Sequence, residues 1–159
     1  KYIEKYGEIE GREKFEDRQK RWQETLNSKS QEEINDINKR KIWKSGGVSK
    51  QEQLLASILN DAGFKLETQV TLKNYIYDIK IGNCLIEYNG GFWHNDPRCD
   101  WMNPVTKKTY KETSKKDNKK ITTAIELGYN IIEIWEYDFQ NNKEQTMEFI
   151  KEFINGRNN

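Results

Sequence analysis

The sequence predicts a mixed α/β fold: a three-stranded antiparallel meander, a crossover helix, a further strand added to the same sheet, and flanking helices. Three observations carry that expectation. The stretch Tyr75–His94, YIYDIKIGNCLIEYNGGFWH, has two halves rich in Ile, Leu and Tyr, separated by Gly82-Asn83, a pair that suits a two-residue hairpin loop. Ahead of it, Ser49 suits the N-cap of a helix running to about Ala62, and Gly63 ends that helix. Behind it, Gly128 closes a helix ending at Leu127, and Ile131–Trp135 reads as an apolar strand.

Taken in order, residues 1–48 are nearly free of β-branched runs and rich in Glu, Lys, Arg and Gln. Tyr2, Tyr6, Ile9, Phe15, Trp22 and Leu26 recur at mostly helical intervals, so this is a helical arm. A break at Ser28–Ser30 precedes a second short helix with Ile34, Ile37 and Trp43, and Ser45-Gly46-Gly47 reads as a hinge. Basic residues outnumber acidic ones by thirteen to ten in Lys1–Lys50, an excess that leaves a structural appendage and a DNA-contacting arm both open. Residues 49–159 form the second domain. In it Lys65–Leu72 is the first strand and the hairpin supplies the next two. An irregular loop follows over Asn95–Tyr110 with both prolines, Pro97 and Pro104. Residues 141–155 make a last helix with Met147, Phe149, Ile150 and Phe153 as its buried side.

With 33% charged and 34% hydrophobic residues and a mean hydropathy of −1.07, the core is small and part of the chain lies outside it. The net charge of +1 hides an uneven distribution. No apolar run approaches a membrane span, no secretory segment is visible, and two cysteines make no disulfide framework, so a cytoplasmic protein is expected. A first residue of lysine points to a trimmed chain or a fragment of a longer protein.

The hairpin carries the chemistry. If Gly82-Asn83 is the loop, Ile81 faces Cys84, and counting outward sets Asp78 opposite Glu87 on one face. Directly opposed side chains have Cβ atoms about 4.5–5.5 Å apart, where like charges are destabilising. A hard divalent cation offsets that cost, since Mg²⁺ takes one or two protein carboxylates and collects phosphate oxygens from a substrate. Lys80, on the same face, is the alternative: it would neutralise an ordinary solvated sheet surface. Beyond Glu87 come Asn89, two glycines, Phe92, Trp93 and His94, the single histidine of the chain. A histidine a few residues past a carboxylate pair suits the proton shuttle of a metal site.

The run LIEYNGGFWH, followed by Lys-Lys-Asp117-Asn-Lys-Lys and then Leu-Gly-Tyr-Asn-Ile-Ile-Glu-Ile-Trp135-Glu136, resembles the very short patch repair (Vsr) endonucleases. It is also similar to the phage homing endonucleases that share their core, a variant of the PD-(D/E)xK restriction-endonuclease-like fold. The similarity spans about residues 48–140. It implies that Asp78 binds the metal, with the backbone carbonyl of Tyr88 as a second ligand, and that His94 is the catalytic histidine partnered by Asp117. It makes Glu52 the helical glutamate with a water-mediated metal contact and sets Glu87 at the glutamate of the E-x-K motif. Asn89 stands where most of the superfamily has lysine, and His94 takes over proton transfer. Glu52 also has a plain role, completing a capping box with Ser49.

The resemblance implies Mg²⁺, with Mn²⁺ able to substitute, and double-stranded DNA as the partner, in a phage or its bacterial host. The repair enzymes carry a structural zinc site, but here its positions fall on Gly91, Asp96, Arg98 and Tyr137. Cys84 and Cys99 with one histidine do not make a four-ligand site, and no zinc is expected. Phe92 and Trp93 would enter between base steps as a wedge, with Trp101 as an accessory; packing over a small core is the other use of these aromatics. Seven lysines lie against Glu112 and Asp117 between Pro104 and Lys120. Of these Lys107, Lys108, Lys115, Lys116, Lys119 and Lys120 are placed to hold the DNA backbone without reading sequence.

The function expected is Mg²⁺-dependent hydrolysis of a DNA phosphodiester by a homing endonuclease. Mismatch- or structure-directed nicking on the same core stays open, and so does a DNA-binding domain that has lost catalysis. One site per chain nicks one strand, so cutting both needs a dimer or a second binding event; the sequence leaves the oligomeric state open.

Overall fold

A computed structural model describes residues 2–44, 47–94, 96–98 and 102–157, without the side chains of Trp43, Lys44 and Trp93. The chain divides into two units, Lys1–Ser45 and Gly46–Asn159. The first holds α1 (Tyr2–Tyr6), α2 (Glu8–Asn27) and α3 (Gln31–Lys44). Gly7, at φ 80°, turns the chain back between α1 and α2. The two helices then touch at Gly11, where an added Cβ would lie 2.7 Å from the Cα of Ile3. Ser30 and Glu33 cap α3 reciprocally: Glu33 N–H donates to Ser30 Oγ at 3.3 Å and Ser30 N–H to the Glu33 carboxylate at 2.9 Å. Along α2, Arg12 pairs with Glu8, Lys14 with Glu10 and Arg21 with Asp17, each one turn apart. Ser45 and Gly46 of the expected hinge lie outside the described residues, as does the side chain of Trp43.

The second unit runs α4 (Lys50–Asp61), β1 (Glu67–Leu72), β2 (Tyr75–Ile81), β3 (Cys84–Asn89), α5 (Gly91–His94), α6 (Tyr110–Glu126), β4 (Asn130–Trp135), α7 (Glu136–Asn141) and α8 (Lys143–Arg157). Its four strands lie in the order β1-β2-β3-β4. The first two pairings are antiparallel and β4 joins β3 in parallel. A parallel neighbour requires a crossover, which α6 provides. This is the restriction-endonuclease-like arrangement expected. The hairpin register is also as expected, with Ile81 against Cys84, Lys80 against Leu85 and Ile79 against Ile86. Gly82 takes φ 57° at the loop, a value glycine adopts freely.

Both faces of the sheet are covered. On one, Leu55 and Leu59 of α4, Phe139 of α7, and Met147, Ile150 and Ile154 of α8 pack on Ile79, Ile81, Ile86, Tyr88 and Ile134. On the other, Ala124 of α6 meets Tyr77 and Leu85. All six residues of β3 are therefore buried, which overturns the reading of the Asp78/Glu87 face as an ordinary solvated sheet surface.

Three further elements differ from expectation. Gly91–His94, the end of the stretch that reads as a hairpin, is a helical turn, α5. Glu136–Asn141 forms the extra short helix α7, which buries Phe139. In α8, Met147, Ile150 and Ile154 face the core while Phe149 is exposed. A helix turns about 100° per residue, so Phe149 points some 200° away from Met147.

Ala124 is fully buried between α6 and the sheet, so overpacking there forces the helix outward, at a cost of about 1–3 kcal/mol. Ala124→Leu should lower the urea midpoint accordingly, with m unchanged. An unaltered midpoint would show that α6 is free to shift.

Candidate active site

The regular ladder fails at Asp78. Between β1 and β2 the pairs Thr68–Ile79 and Val70–Tyr77 skip Gln69 and Asp78, and Gln69 adopts φ 53°. Between β2 and β3 the last pair is Ile79–Ile86. One step outward, where counting sets Asp78 against Glu87, the Tyr88 N–H donates to Asp78 Oδ2 at 2.8 Å, a side chain taking the place of a backbone acceptor. Displaced Gln69 donates its side-chain amide to Glu52 Oε1 at 2.5 Å. This distortion gathers Glu52, Asp78 and Glu87 into one electrostatic group.

Burial raises the Glu52 carboxyl to about 7, and the charge of Asp78 adds to the rise. Burial also pushes Glu87 up, helped by Asp78 and opposed by Lys120. Glu87 is 6% exposed. Its Oε2 accepts from the Lys120 ammonium, while its Oε1 is buried with no hydrogen-bond partner among the described residues. Lys80, the neutralising cation weighed from sequence, turns instead to Glu67 at 2.5 Å. Among the described residues, no group of three or more His, Cys, Asp or Glu side chains is gathered tightly enough to hold a metal ion by itself. A cation here would draw on fewer carboxylates, completed by backbone oxygen and water, a habit of Mg²⁺.

Helix α6 supplies the opposite wall. Its start is capped by Thr109 and Glu112, whose carboxylate accepts from the Thr109 N–H at 3.0 Å. That Thr-x-x-Glu signal is readable in the sequence. Residues three and four apart share a helix face, so Asp117, Lys120 and Ala124 form one stripe toward the sheet. Asp117 Oδ2 lies 3.0 Å from His94 Nδ1. One turn on, Lys120 reaches Glu87, its ammonium 5.1 Å from the centre of the Tyr77 ring, while the Tyr77 hydroxyl donates to the Lys120 carbonyl at 2.9 Å. Lys107, Lys108, Lys115, Lys116 and Lys119 are exposed. Lys120, expected among them, is drawn inward.

The turn α5 that carries His94 is braced from outside. Gly91 N–H donates to Glu136 at 3.2 Å. Asn103, fully buried, donates to the Phe92 carbonyl and accepts from the N–H groups of Val105 and Thr106. Asn103 and Glu136 were not singled out from sequence, because nothing in their spacing marks a long-range contact. Asn89 donates to Glu133 at 2.7 Å, across to β4.

Ser49 caps α4 by accepting from Glu52 N–H at 3.1 Å. The Glu52 carboxylate accepts from Gln69 and also feels the Ser49 backbone N–H, so the cap accounts for part of its surroundings and Gln69 for the rest. The positions compared with a zinc site lie close together but hold an ionic knot. Arg98 bonds Asp96 at 2.5 and 2.8 Å and Asp138 at 2.5 Å, and lies 4.6 Å from the centre of the Tyr137 ring. Gly91 offers no side chain and Arg98 is a cation, so this donor set does not suit zinc. Phe92 is exposed. Trp101 and Cys99 lie outside the described residues, as does the side chain of Trp93.

No family model and no curated protein matches this chain. Among solved structures, it is similar to the catalytic domain of the homing endonuclease I-Bth0305I. The likeness has 18% identity and a TM-score of 0.46, and covers 67% of this chain and 94% of that one. Among the described residues no helix is long and apolar enough to cross a membrane.

The raised Glu52 carboxyl sets a pH dependence. Folding favours its protonated form, so the stabilisation is complete below the ordinary value of 4.5 and lost as pH rises through about 7. Without divalent cations, the melting temperature should fall by several degrees from about pH 5 to about pH 8, and Glu52→Gln should flatten that slope. A wild-type melting temperature that rises over this range would show Glu52 ionised in the fold.

Proposed function

We propose that Gly46–Asn159 is a metal-dependent DNA endonuclease domain of the phage homing type. The observation that carries this reading is the shared face of α6, whose Asp117 holds His94 and whose Lys120, one turn on, reaches the carboxylate group at the ladder opening. The homing assignment rests on the sequence resemblance.

The residues fit a hard cation. Glu87 Oε1 is a buried carboxyl oxygen without a hydrogen-bond partner among the described residues, and Asp78 lies at the same opening. A strand residue directs its N–H and C=O to the same side, so the Tyr88 carbonyl faces the side on which its N–H meets Asp78. Asp78, Glu87 and the Tyr88 carbonyl would hold Mg²⁺ or Mn²⁺, with Glu52 in reach of its water shell. Bound there, the ion polarises the phosphate and stabilises the leaving oxygen.

His94 is the general base. With Asp117 ionised, Nδ1–H donates to it, which fixes the tautomer and leaves Nε2 unprotonated to take the proton of the attacking water. Asp117 then stabilises the imidazolium. The exposed lysines Lys107, Lys108, Lys115, Lys116 and Lys119 hold the DNA backbone. Phe92, whose carbonyl accepts from Asn103 while its ring stays exposed, would act as the wedge, and the resemblance adds Trp93.

Supercoiled plasmid cleavage with Mg²⁺ tests the reading. Wild type should nick or linearise the plasmid and Asp78→Ala should not. His94→Ala should slow cleavage on the order of 10²–10⁴-fold with DNA affinity nearly unchanged. Wild-type turnover by His94→Ala would remove the histidine from the mechanism. Salt-sensitive DNA binding without cleavage of any duplex substrate would instead favour a binding domain.

A further inference from the structure

We infer that Lys120 is a catalytic residue of this site, its ammonium donating to a non-bridging oxygen of the scissile phosphate, rather than one more surface contact to the DNA backbone. The inference rests on the nuclease reading above. Of the seven lysines between Pro104 and Lys120, the other six are exposed, and Lys120 alone is half-buried, its side chain 21% accessible. A lysine that only neutralises backbone phosphate works from the surface and needs no fixed geometry. Lys120 is fixed at both ends: its carbonyl accepts from the Tyr77 hydroxyl, and its ammonium meets Glu87 Oε2 and the Tyr77 ring.

Stability is a poor reason for this arrangement. A buried ion pair recovers its desolvation cost only when the remaining polar atoms are also satisfied. Here Glu87 Oε1 is left buried and, among the described residues, without a hydrogen-bond partner. The pair is incomplete as a structural device and complete only when a further group enters beside Glu87. Asp117, on the same face one turn earlier, holds the histidine assigned to water activation. The Lys120 ammonium therefore meets the carboxylate group from the same helix face that orients the base.

As hydroxide attacks phosphorus, negative charge grows on the non-bridging oxygens. A preoriented ammonium in a water-poor site stabilises that charge without reorganisation. No proton leaves Lys120 in this step; the water proton goes to His94 Nε2 as the phosphorus–oxygen bond to the leaving strand breaks.

The test is single-turnover cleavage of a duplex carrying one phosphorothioate stereoisomer at the cleaved bond, for wild type and Lys120→Met, with DNA affinity measured against salt. Expected are a loss of about 10²–10³-fold in cleavage at saturating DNA, unchanged affinity and salt slope, and disappearance in the variant of the slowing that sulfur causes at one stereochemical position. Weaker binding with a shallower salt slope and full cleavage at saturation would make Lys120 a backbone contact and overturn the inference. So would an unchanged sulfur effect. Should Lys120→Met fail to melt cooperatively, Lys120→Arg keeps the charge beside Glu87; slowed cleavage at wild-type affinity and melting temperature supports the inference, and wild-type cleavage overturns it. Absence of cleavage by the wild-type protein overturns the nuclease reading itself, whereas wild-type cleavage matched by Lys120→Met overturns this inference alone.

Discussion

The burial of Glu87 is the constraint on which the rest of the structure depends. Strand β3 is the one strand covered from end to end on both faces, and it carries a carboxylate into that interior. An isolated buried charge costs several kcal/mol, so β3 is tolerable there only with a cation supplied from the covering layer. Helix α6 supplies it. Ala124 sets how close the helix lies and Lys120 sets its rotation about its own axis. Asp117, one turn earlier, then has no choice of direction, and the position of the His94 side chain follows from that.

The second constraint is the opening of the β2 ladder. A regular sheet would have satisfied Tyr88 N–H with a backbone carbonyl and left Asp78 without a role. Instead the Asp78 carboxylate accepts that N–H, and Gln69 departs from the extended region and swings its amide to Glu52. Positive φ at a non-glycine residue is unfavourable and persists where the surroundings over-determine it, commonly at functional sites. Burial is the main reason that Glu52 and Glu87 both resist ionisation, and the distortion adds to it by bringing the charge of Asp78 close to each.

A third set of contacts joins the histidine turn to the far side of the sheet. Glu136 and Asp138 on α7 reach Gly91, the first residue of α5, and Arg98, four residues beyond its end, while Asn103 fastens the middle of that turn. Arg98 is partly exposed, and the worth of its pairs is reduced by solvent. Their geometric effect is larger than their energetic one, since several short bonds on one loop leave α5 little freedom to rotate.

Much of this was legible in the chain itself. The hairpin and its register follow from Gly82-Asn83 and the alternation around it, because a two-residue loop leaves one way to count. Ser49, Gly63 and Gly128 mark helix ends by local backbone chemistry. The apolar strand after Gly128 and the charged helix before it predict the crossover. Counting outward from the loop sets Asp78 against Glu87, His94 follows a few residues on, and Asp117 comes from the resemblance. What the sequence could not disclose are facts of long range. Seven lysines read alike as a basic run, and only the packing of α6 on β3 separates Lys120 from the others. The cap explains Glu52 locally, but its contact with Gln69, seventeen residues on, has no local signal. Phe149 looked buried by hydropathy, but the direction of a helix face is set by what lies beneath it. Local rules act over a few residues and can be read in order; burial, and the partner that burial demands, depends on residues brought together from across the chain.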